Sequence, residues 1–159
     1  MRRLVAVITF AAALLGAPLQ AGADSASRPI EGRLDQTTVA VGTSVTSSGT
    51  SVVSHLGRGS GEADFTISFG ANQLLLSGTS VLIAANGDRL ETTFTGTADF
   101  LTGVGSTGSF TLLSTITGGT GRFSDASGSF VTRGTNTVLS VGSQVVVRSV
   151  STLDGRISY

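Results

Sequence analysis

Apolar and polar residues alternate with a period of two along most of the chain after Ala23. The alternation is clear at residues 65–69 and 90–94 and continues at 110–116. A period of two places the apolar side chains on one face of a β-strand, and we found no 3.6-residue apolar stripe long enough for a helix. The sequence therefore predicts an all-β domain.

Glycine-rich turns divide this pattern into eight predicted strands, at about 30–35, 44–56, 62–69, 73–85, 89–101, 107–117, 127–138 and 144–158. Asn86-Gly87-Asp88 predicts a tight hairpin, because Asn-Gly readily adopts the positive φ values that such a turn needs. Further reversals are predicted at Gly57–Gly61, Gly70–Asn72, Gly103–Gly108, Gly118–Gly121 and Gly142–Ser143. Eight short strands at even spacing favour an up-and-down barrel or a sandwich.

The first and last predicted strands carry similar segments, Ile30-Glu31-Gly32-Arg33-Leu34 and Leu153-Asp154-Gly155-Arg156-Ile157. A closed barrel pairs its last strand with its first, so the two strands would share similar surroundings. The similarity slightly favours a single eight-stranded antiparallel barrel, and the sandwich stays the alternative.

The N-terminal residues have the pattern of a secretory signal peptide. Arg2 and Arg3 precede an apolar run, Leu4–Leu15, and the small residues Ala21-Gly22-Ala23 follow it. The run is shorter than the roughly 20 residues of a membrane-spanning helix. We predict cleavage before Asp24, which gives a signal peptide over residues 1–23, a barrel domain over 24–159 and a secreted, extracellular protein.

Charge and cysteine content exclude several classes of function. After the predicted cut, ten acidic and eight basic residues remain, a net charge of −2, and every basic residue is an arginine. With no basic cluster and no second apolar segment, we predict neither nucleic-acid binding nor a membrane anchor. Cysteine is absent, which excludes disulfides and cysteine-based zinc sites, and with one histidine we predict no metal site.

Some predicted strands are apolar on both faces, notably at 74–76, 81–84 and 145–147. A barrel buries one face of each strand in its interior, so the outer face must meet something else. We therefore predict a homo-oligomer.

No cofactor is predicted. Gly103–Gly108 has the glycine spacing of a dinucleotide-binding loop, but the residues after it continue as a strand rather than a helix. The glycines of the 118–121 segment could suggest a phosphate loop, but such a loop needs a lysine and the chain has none.

The segment at 118–123 instead predicts a tight reversal followed by a plug at the barrel mouth. The residues of this turn motif are Gly118, Gly119, Thr120, Gly121 and Phe123. Followed by Gly128 and Phe130, it resembles a segment shared by allene oxide cyclases and plant dirigent proteins.

The sequence is more closely similar to secreted bacterial proteins with an allene-oxide-cyclase-like barrel. The resemblance runs through 55–58 (His-Leu-Gly-Arg), 84–88 (Ala-Ala-Asn-Gly-Asp), 118–123 and 155–159 (Gly-Arg-Ile-Ser-Tyr). It implies an eight-stranded barrel that assembles as a trimer. Allene oxide cyclases close an unsaturated fatty-acid epoxide in an apolar lumen, and dirigent proteins orient phenoxy radicals. We match no catalytic residue of either family to a position here outside the glycine-rich segment.

Four residues are candidate ligand contacts: His55, Phe123, Arg133 and Arg148. His55 is the only histidine and lies near a predicted strand end, where it could serve as an acid or a base. Arg133 and Arg148 lie on strands that carry apolar residues on both faces. Either of them, if it points into the lumen, would need a carboxylate partner or a ligand anion.

The preferred hypothesis is a non-catalytic secreted barrel that binds a small hydrophobic molecule or serves as an oligomeric structural module. Its basis is an apolar inward face combined with few catalytic groups. The alternative is an isomerase or cyclase that acts on a hydrophobic unsaturated substrate by confining it in the lumen.

Overall fold

The computed structural model describes residues 26–159, and this part of the chain is almost entirely β-strand. A short 3-10 helix, Gly121–Phe123, lies between the sixth and seventh strands. The strands are β1 (Arg28–Val41), β2 (Ser44–Val53), β3 (Gly57–Phe69), β4 (Leu74–Ile83), β5 (Arg89–Ala98), β6 (Thr107–Gly119), β7 (Ser127–Val141) and β8 (Val145–Ser158). The all-β prediction is confirmed.

The predicted signal peptide, residues 1–23, and its cleavage point before Asp24 lie outside the described residues. From residue 26 to residue 159, no helix is long and apolar enough to cross a membrane.

The eight strands form one closed antiparallel barrel in up-and-down order. Each strand pairs with the next, and β8 returns to pair with β1. In this last ladder Ile30 lies opposite Gly155, and Gly32 lies opposite Leu153. The two similar terminal segments are therefore neighbours, and each glycine faces a large apolar residue of the other segment. Because a single sheet closes on itself, the sandwich alternative is excluded.

The two largest errors in the predicted strand boundaries are the end of β1 and the start of β3. β1 continues to Val41 rather than ending at residue 35, because its polar residues keep alternating between the two faces. β3 begins at Gly57, so Gly57–Gly61 is strand, and the reversal lies at 54–56. Gly59 allows close strand packing, because a Cβ there would clash with the carbonyl oxygen of Ile83 on the neighbouring strand, whereas Gly57 has open space around it and φ of 76°.

The hairpin at Asn86-Gly87 is present, but its geometry differs from a two-residue turn. The N–H of Gly87 donates to the carbonyl of Ala84 over 2.9 Å, and Gly87 has φ of 88°. Asn86 does not have positive φ, as a type I′ turn would require. One position of this turn, Gly87, thus has positive φ, rather than both positions as predicted.

The connections fall at two opposite ends of the barrel because successive strands run in opposite directions. We call one the closed end; it holds the connections at 54–56, 84–88 and 120–126. We call the other the open end; it holds the connections at 42–43, 70–73, 99–106 and 142–144.

Apolar side chains form two clusters inside the barrel. The cluster at the closed end is solid, and Ile30, Leu90, Phe123 and Ile157 are fully buried in it. The cluster towards the open end is built around Leu76, Phe94 and Ala98, and most of its other members are only half-buried. The core therefore loosens from one end of the barrel to the other.

Candidate functional site

A cavity of about 330 Å³ enters the barrel from the open end. Gly42, Phe69 and Phe100 border its mouth, and it reaches inward to Leu82 and Leu153, which belong to the closed-end cluster. Small-molecule sites have volumes of roughly 300–1,000 Å³. The lumen is hollow towards the open end and filled at the closed end.

One side of the cavity is apolar and is formed by strands β3 to β6. Phe65 and Phe94 meet edge to face, with 5.7 Å between their ring centroids. Such aromatic pairs contribute about 0.5–1.5 kcal/mol beyond the area they bury. We call this surface the apolar wall, and its residues are Phe65, Ile67, Leu74, Leu76, Phe94, Phe110 and Leu112.

Inward-facing glycines make room for the large side chains of the apolar wall. A Cβ at Gly96 would lie 2.6 Å from Cδ2 of Leu112 on the next strand. Interior positions of this barrel therefore alternate between large residues and glycine across neighbouring strands, as the limited lumen of an eight-stranded barrel requires.

The opposite side carries a chain of side-chain hydrogen bonds that crosses β7, β8, β1 and β2. Ser149 Oγ donates to Asn136 Oδ1 over 2.7 Å. Thr38 Oγ1 lies 3.1 Å from Ser149 Oγ and 2.9 Å from Ser47 Oγ. We call these four residues the polar wall. Closure of β8 onto β1 brings them together, so they exist as a group only in the folded barrel.

Three further hydroxyl groups border the cavity deeper in the lumen, those of Ser114, Thr132 and Ser151. Their side chains make no hydrogen bond within residues 26–159, although all three residues are buried. No side-chain nitrogen or oxygen of the described chain is both fully enclosed and unpaired. These hydroxyls are therefore accessible from the cavity.

Asp99 lies at the mouth and fixes the start of the 99–106 connection. Its Oδ2 accepts hydrogen bonds from Ser109 Oγ over 2.7 Å and from the Ser109 N–H over 2.8 Å. Both bonds lower the pKa of the Asp99 carboxyl because they stabilise its charged form, and the bond from the Ser109 hydroxyl has the larger effect. Within residues 26–159, the charged residues that border the cavity are Asp99 and Glu62, and both are acidic.

The rim of the open end is apolar. Phe69 and Phe100 stack with 6.4 Å between their ring centroids, although Phe69 is 75% exposed. Other large exposed apolar side chains on or next to the rim are Val41, Val104, Leu139 and Val141. An apolar molecule that reaches the mouth contacts apolar side chains before it enters the lumen.

The predicted turn motif at 118–123 lies at the closed end. Gly118 and Gly121 have φ of 131° and 58°, and a Cβ at Gly121 would clash with the Asp88 carboxylate. Thr120 Oγ1 accepts a hydrogen bond from the N–H of Arg89 over 3.0 Å, which ties the turn to β5. Gly119 is the last residue of β6. The motif positions the closed-end plug and does not border the cavity.

Phe123 is that plug. Its side chain is 0% exposed and meets the ring of Tyr159 edge to face at 5.1 Å between centroids. The side chain of Arg122 lies over its ring at 4.9 Å. Phe123 thus fills the end of the barrel opposite the cavity mouth.

His55 also lies at the closed end. It occupies the turn between β2 and β3 with φ of 67°, an uncommon value outside glycine. Its Nε2 lies 2.8 Å from the carbonyl oxygen of Pro29. Since a carbonyl only accepts, Nε2 carries the proton in this bond. The contact holds the turn against the beginning of β1 and is remote from the cavity.

Arg133 and Arg148 are exposed on the outer surface of the barrel. Arg133 follows Thr132, which borders the cavity, and therefore points to the other side of β7. Arg148 makes a bidentate pair with Asp35, Nε to Oδ1 at 3.1 Å and Nη2 to Oδ2 at 2.7 Å. This pair lowers the pKa of Asp35 and raises that of Arg148. Neither arginine points into the lumen.

The structure therefore does not bring the four candidate ligand contacts together. His55 and Phe123 lie at the closed end, whereas the two arginines lie on the outer surface. Sequence reasoning missed the polar wall. The available signal was the parity of Ser47 and Ser149, which share an inward face with the apolar residues Val45 and Val147.

No group of three or more His, Cys, Asp or Glu in the described part of the chain is placed to hold a metal ion. No family model matches the chain, and neither a curated protein nor a solved structure matches it significantly. The likeness to allene oxide cyclases and dirigent proteins stays a prediction from the sequence motifs.

Proposed function

We propose that this protein is a secreted, non-catalytic barrel that binds a small hydrophobic molecule in its lumen. The observation that carries the proposal is the cavity of about 330 Å³ with an apolar wall and an apolar mouth. Secretion is supported by Arg2 and Arg3 ahead of the apolar run of residues 4–15.

The shape of the lumen favours binding. Each square ångström of apolar surface that a ligand removes from water is worth roughly 25 cal/mol, and a closed sheet holds the wall in place before the ligand arrives. Because the strands are hydrogen-bonded all round, little backbone ordering is needed when the ligand enters.

The residues around the cavity favour binding over acid–base catalysis. Hydroxyl and amide groups line the polar side, and His55 lies at the opposite end of the barrel. Asp99 borders the mouth, but its pKa is lowered by Ser109, which makes it a weaker base.

A fluorescence titration with the neutral apolar dye Nile red tests the proposal. We expect saturable enhancement with the wild-type protein. The variant Ala63→Phe places a large side chain in the cavity and should weaken binding about tenfold or more, because it removes the volume that the dye occupies.

Thr93→Phe is the matched control, since Thr93 is exposed on the outer face of β5 and phenylalanine is well tolerated in strands. It should bind as the wild type does. Equal binding by Ala63→Phe, with circular dichroism showing both variants folded, or no binding by the wild type, would contradict the proposal.

An isomerase or cyclase that works by confinement is the second candidate. The observation that favours it is the position of the Ser114 and Thr132 hydroxyls, which are accessible from an otherwise apolar cavity and could orient a polar group. Turnover of an unsaturated fatty epoxide, abolished by Ala63→Phe and kept by Thr93→Phe, would establish it. Inertness towards a panel of such epoxides would dismiss it.

We also propose that the barrel assembles as a homo-oligomer, a trimer by its resemblance to the cyclase and dirigent families. What supports this is the outer face, where Leu75, Leu113 and Val150 are 43–57% exposed. Sedimentation equilibrium should show a species larger than the monomer at micromolar concentration, and Leu113→Ser should shift it towards the monomer. A monomeric wild type would overturn the proposal.

A further inference from the structure

The hydrogen bonds of the polar wall run in one direction. Each hydroxyl group has one proton to donate. Ser149 uses its proton on Asn136 Oδ1, so Thr38 must donate to Ser149, and Ser47 must donate to Thr38. The chain therefore runs from Ser47 to Asn136, and all three hydroxyl protons are used.

This direction determines what the polar wall offers to a ligand. At one end, the Asn136 Nδ2 group keeps both of its protons, because its oxygen is the atom that accepts from Ser149. At the other end, Ser47 Oγ keeps a free acceptor position. The side-chain amide of Gln36 also borders the cavity, and this side chain makes no hydrogen bond within residues 26–159. The wall thus presents uncharged donors and acceptors beside each other.

The electrostatics of the cavity exclude charged groups. Within the described chain no arginine borders the cavity, and the bordering charges are Glu62 and Asp99. A carboxylate or phosphate group on the polar wall would have no cation to pair with, and an unpaired charge removed from water is strongly disfavoured. A cation on the polar wall would likewise lack a partner. Glu62 is exposed and lies between Gly61 and Ala63, which face the lumen, so its side chain points to the outer face of β3. Asp99 lies at the mouth, and its Oδ2 is bonded to Ser109.

From this arrangement we infer that the lumen selects an uncharged amphipathic molecule, whose apolar chain packs on the apolar wall while a hydroxyl or carbonyl group bonds to the polar wall. The inference rests on the proposed function, because it concerns the same cavity. It adds the ligand class, a neutral lipid-like alcohol, ketone or ester rather than a fatty acid, and the orientation of the ligand.

Displacement of Nile red by three ligands with the same ten-carbon chain tests this selectivity: decan-1-ol, decanoate and decylammonium, at neutral pH. We expect decan-1-ol to displace the dye at a concentration about tenfold or more below that of either ion. If decanoate or decylammonium displaces Nile red at the same concentration as the alcohol, the inference is overturned while the proposed function stands. If the dye itself does not bind, the proposed function fails and the inference fails with it.

A pair of variants tests the orientation. Asn136→Leu removes the free amide donor at similar volume, and we expect it to weaken the binding of decan-1-ol, measured directly by titration calorimetry, at least about threefold. Thr135→Val changes the exposed neighbour of Asn136 on the outer face and should leave the binding of decan-1-ol unchanged. Equal decan-1-ol binding by folded Asn136→Leu and Thr135→Val would contradict contact with the polar wall.

Discussion

The two ends of this barrel are built from the same eight strands but differ in how their interior is filled. At the closed end, the 3-10 turn inserts Phe123 among apolar residues, and the core is solid. At the open end, Phe69 and Phe100 stack on the rim, and the lumen below them is hollow. Side chains at the closed end stabilise the fold, while those at the open end are free to contact a ligand.

The connections at the two ends of the barrel contribute to this difference. The closed end has the 120–126 connection, which carries a buried side chain into the lumen. The connections at 42–43, 70–73 and 142–144 are short, and the longer one at 99–106 is held on the rim by Asp99. A barrel of this size can be filled by its own side chains, and here Phe123 completes a closed half that strand residues such as Ile30, Leu90 and Ile157 already fill.

The largest expected effect comes from removing the plug. Phe123→Ala should lower the free energy of unfolding by about 3–5 kcal/mol, because it leaves a cavity in a fully buried site. Phe69→Ala at the open end removes the same atoms from an exposed site and should change the free energy of unfolding by at most about 0.5 kcal/mol. Urea denaturation measures both values. Equal losses would show that the two ends contribute alike to stability.

A smaller contrast is expected from two glycines. Gly155→Ala should destabilise the protein by about 1–3 kcal/mol, since a Cβ would clash with Ser129 and Phe130 on β7. Gly142→Ala, at the open end, has no atom within 4 Å of the new Cβ. Thermal unfolding of the two variants checks this, and a destabilised Gly142→Ala would contradict the view that this connection is unconstrained.

The smallest effect concerns the carboxylate at the mouth. Hydrogen bonds from Ser109 lower the pKa of Asp99 from its ordinary value of 3.8. The ionised carboxylate that accepts these bonds is therefore fully present above 3.8, and it is lost as the pH falls through the lowered pKa. The Ser109 amide proton shift, followed by NMR, should therefore titrate with a midpoint below 3.8. In Asp99→Asn this titration should vanish with little change in stability. A midpoint above 3.8 would show that the hydrogen bonds are not formed.

Much of the fold follows from local patterns. The period of two identified the strands, and the glycine turns separated them. Both patterns are local, because each can be read from a few consecutive residues. The similarity of the terminal segments around Gly32 and Gly155 slightly favoured closure, and the register of β1 and β8 makes these segments neighbours. The predicted turn at Gly57–Gly61 was wrong because glycine also occurs where strands approach closely, and one sequence does not distinguish the two uses.

The candidate site was not predictable to the same extent. The polar wall depends on the register between four strands, which joins Thr38 to Ser149 across 111 positions of the chain. Arg148 was misleading, because its strand has apolar residues on both faces and its partner Asp35 lies on β1. Whether a lumen is hollow depends on the summed volume of inward side chains, and this also requires the closed barrel.

The central claim is that ligands enter only the open half of the lumen. Methyl NMR of the labelled protein, titrated with decan-1-ol, tests it directly. We predict shift changes at Leu74, Leu76 and Leu112, which line the cavity, with Leu56 and Ile157 at the closed end and Leu113 on the outer face unchanged. Changes confined to Leu113, changes at the closed end of equal size, or none at all would contradict the account.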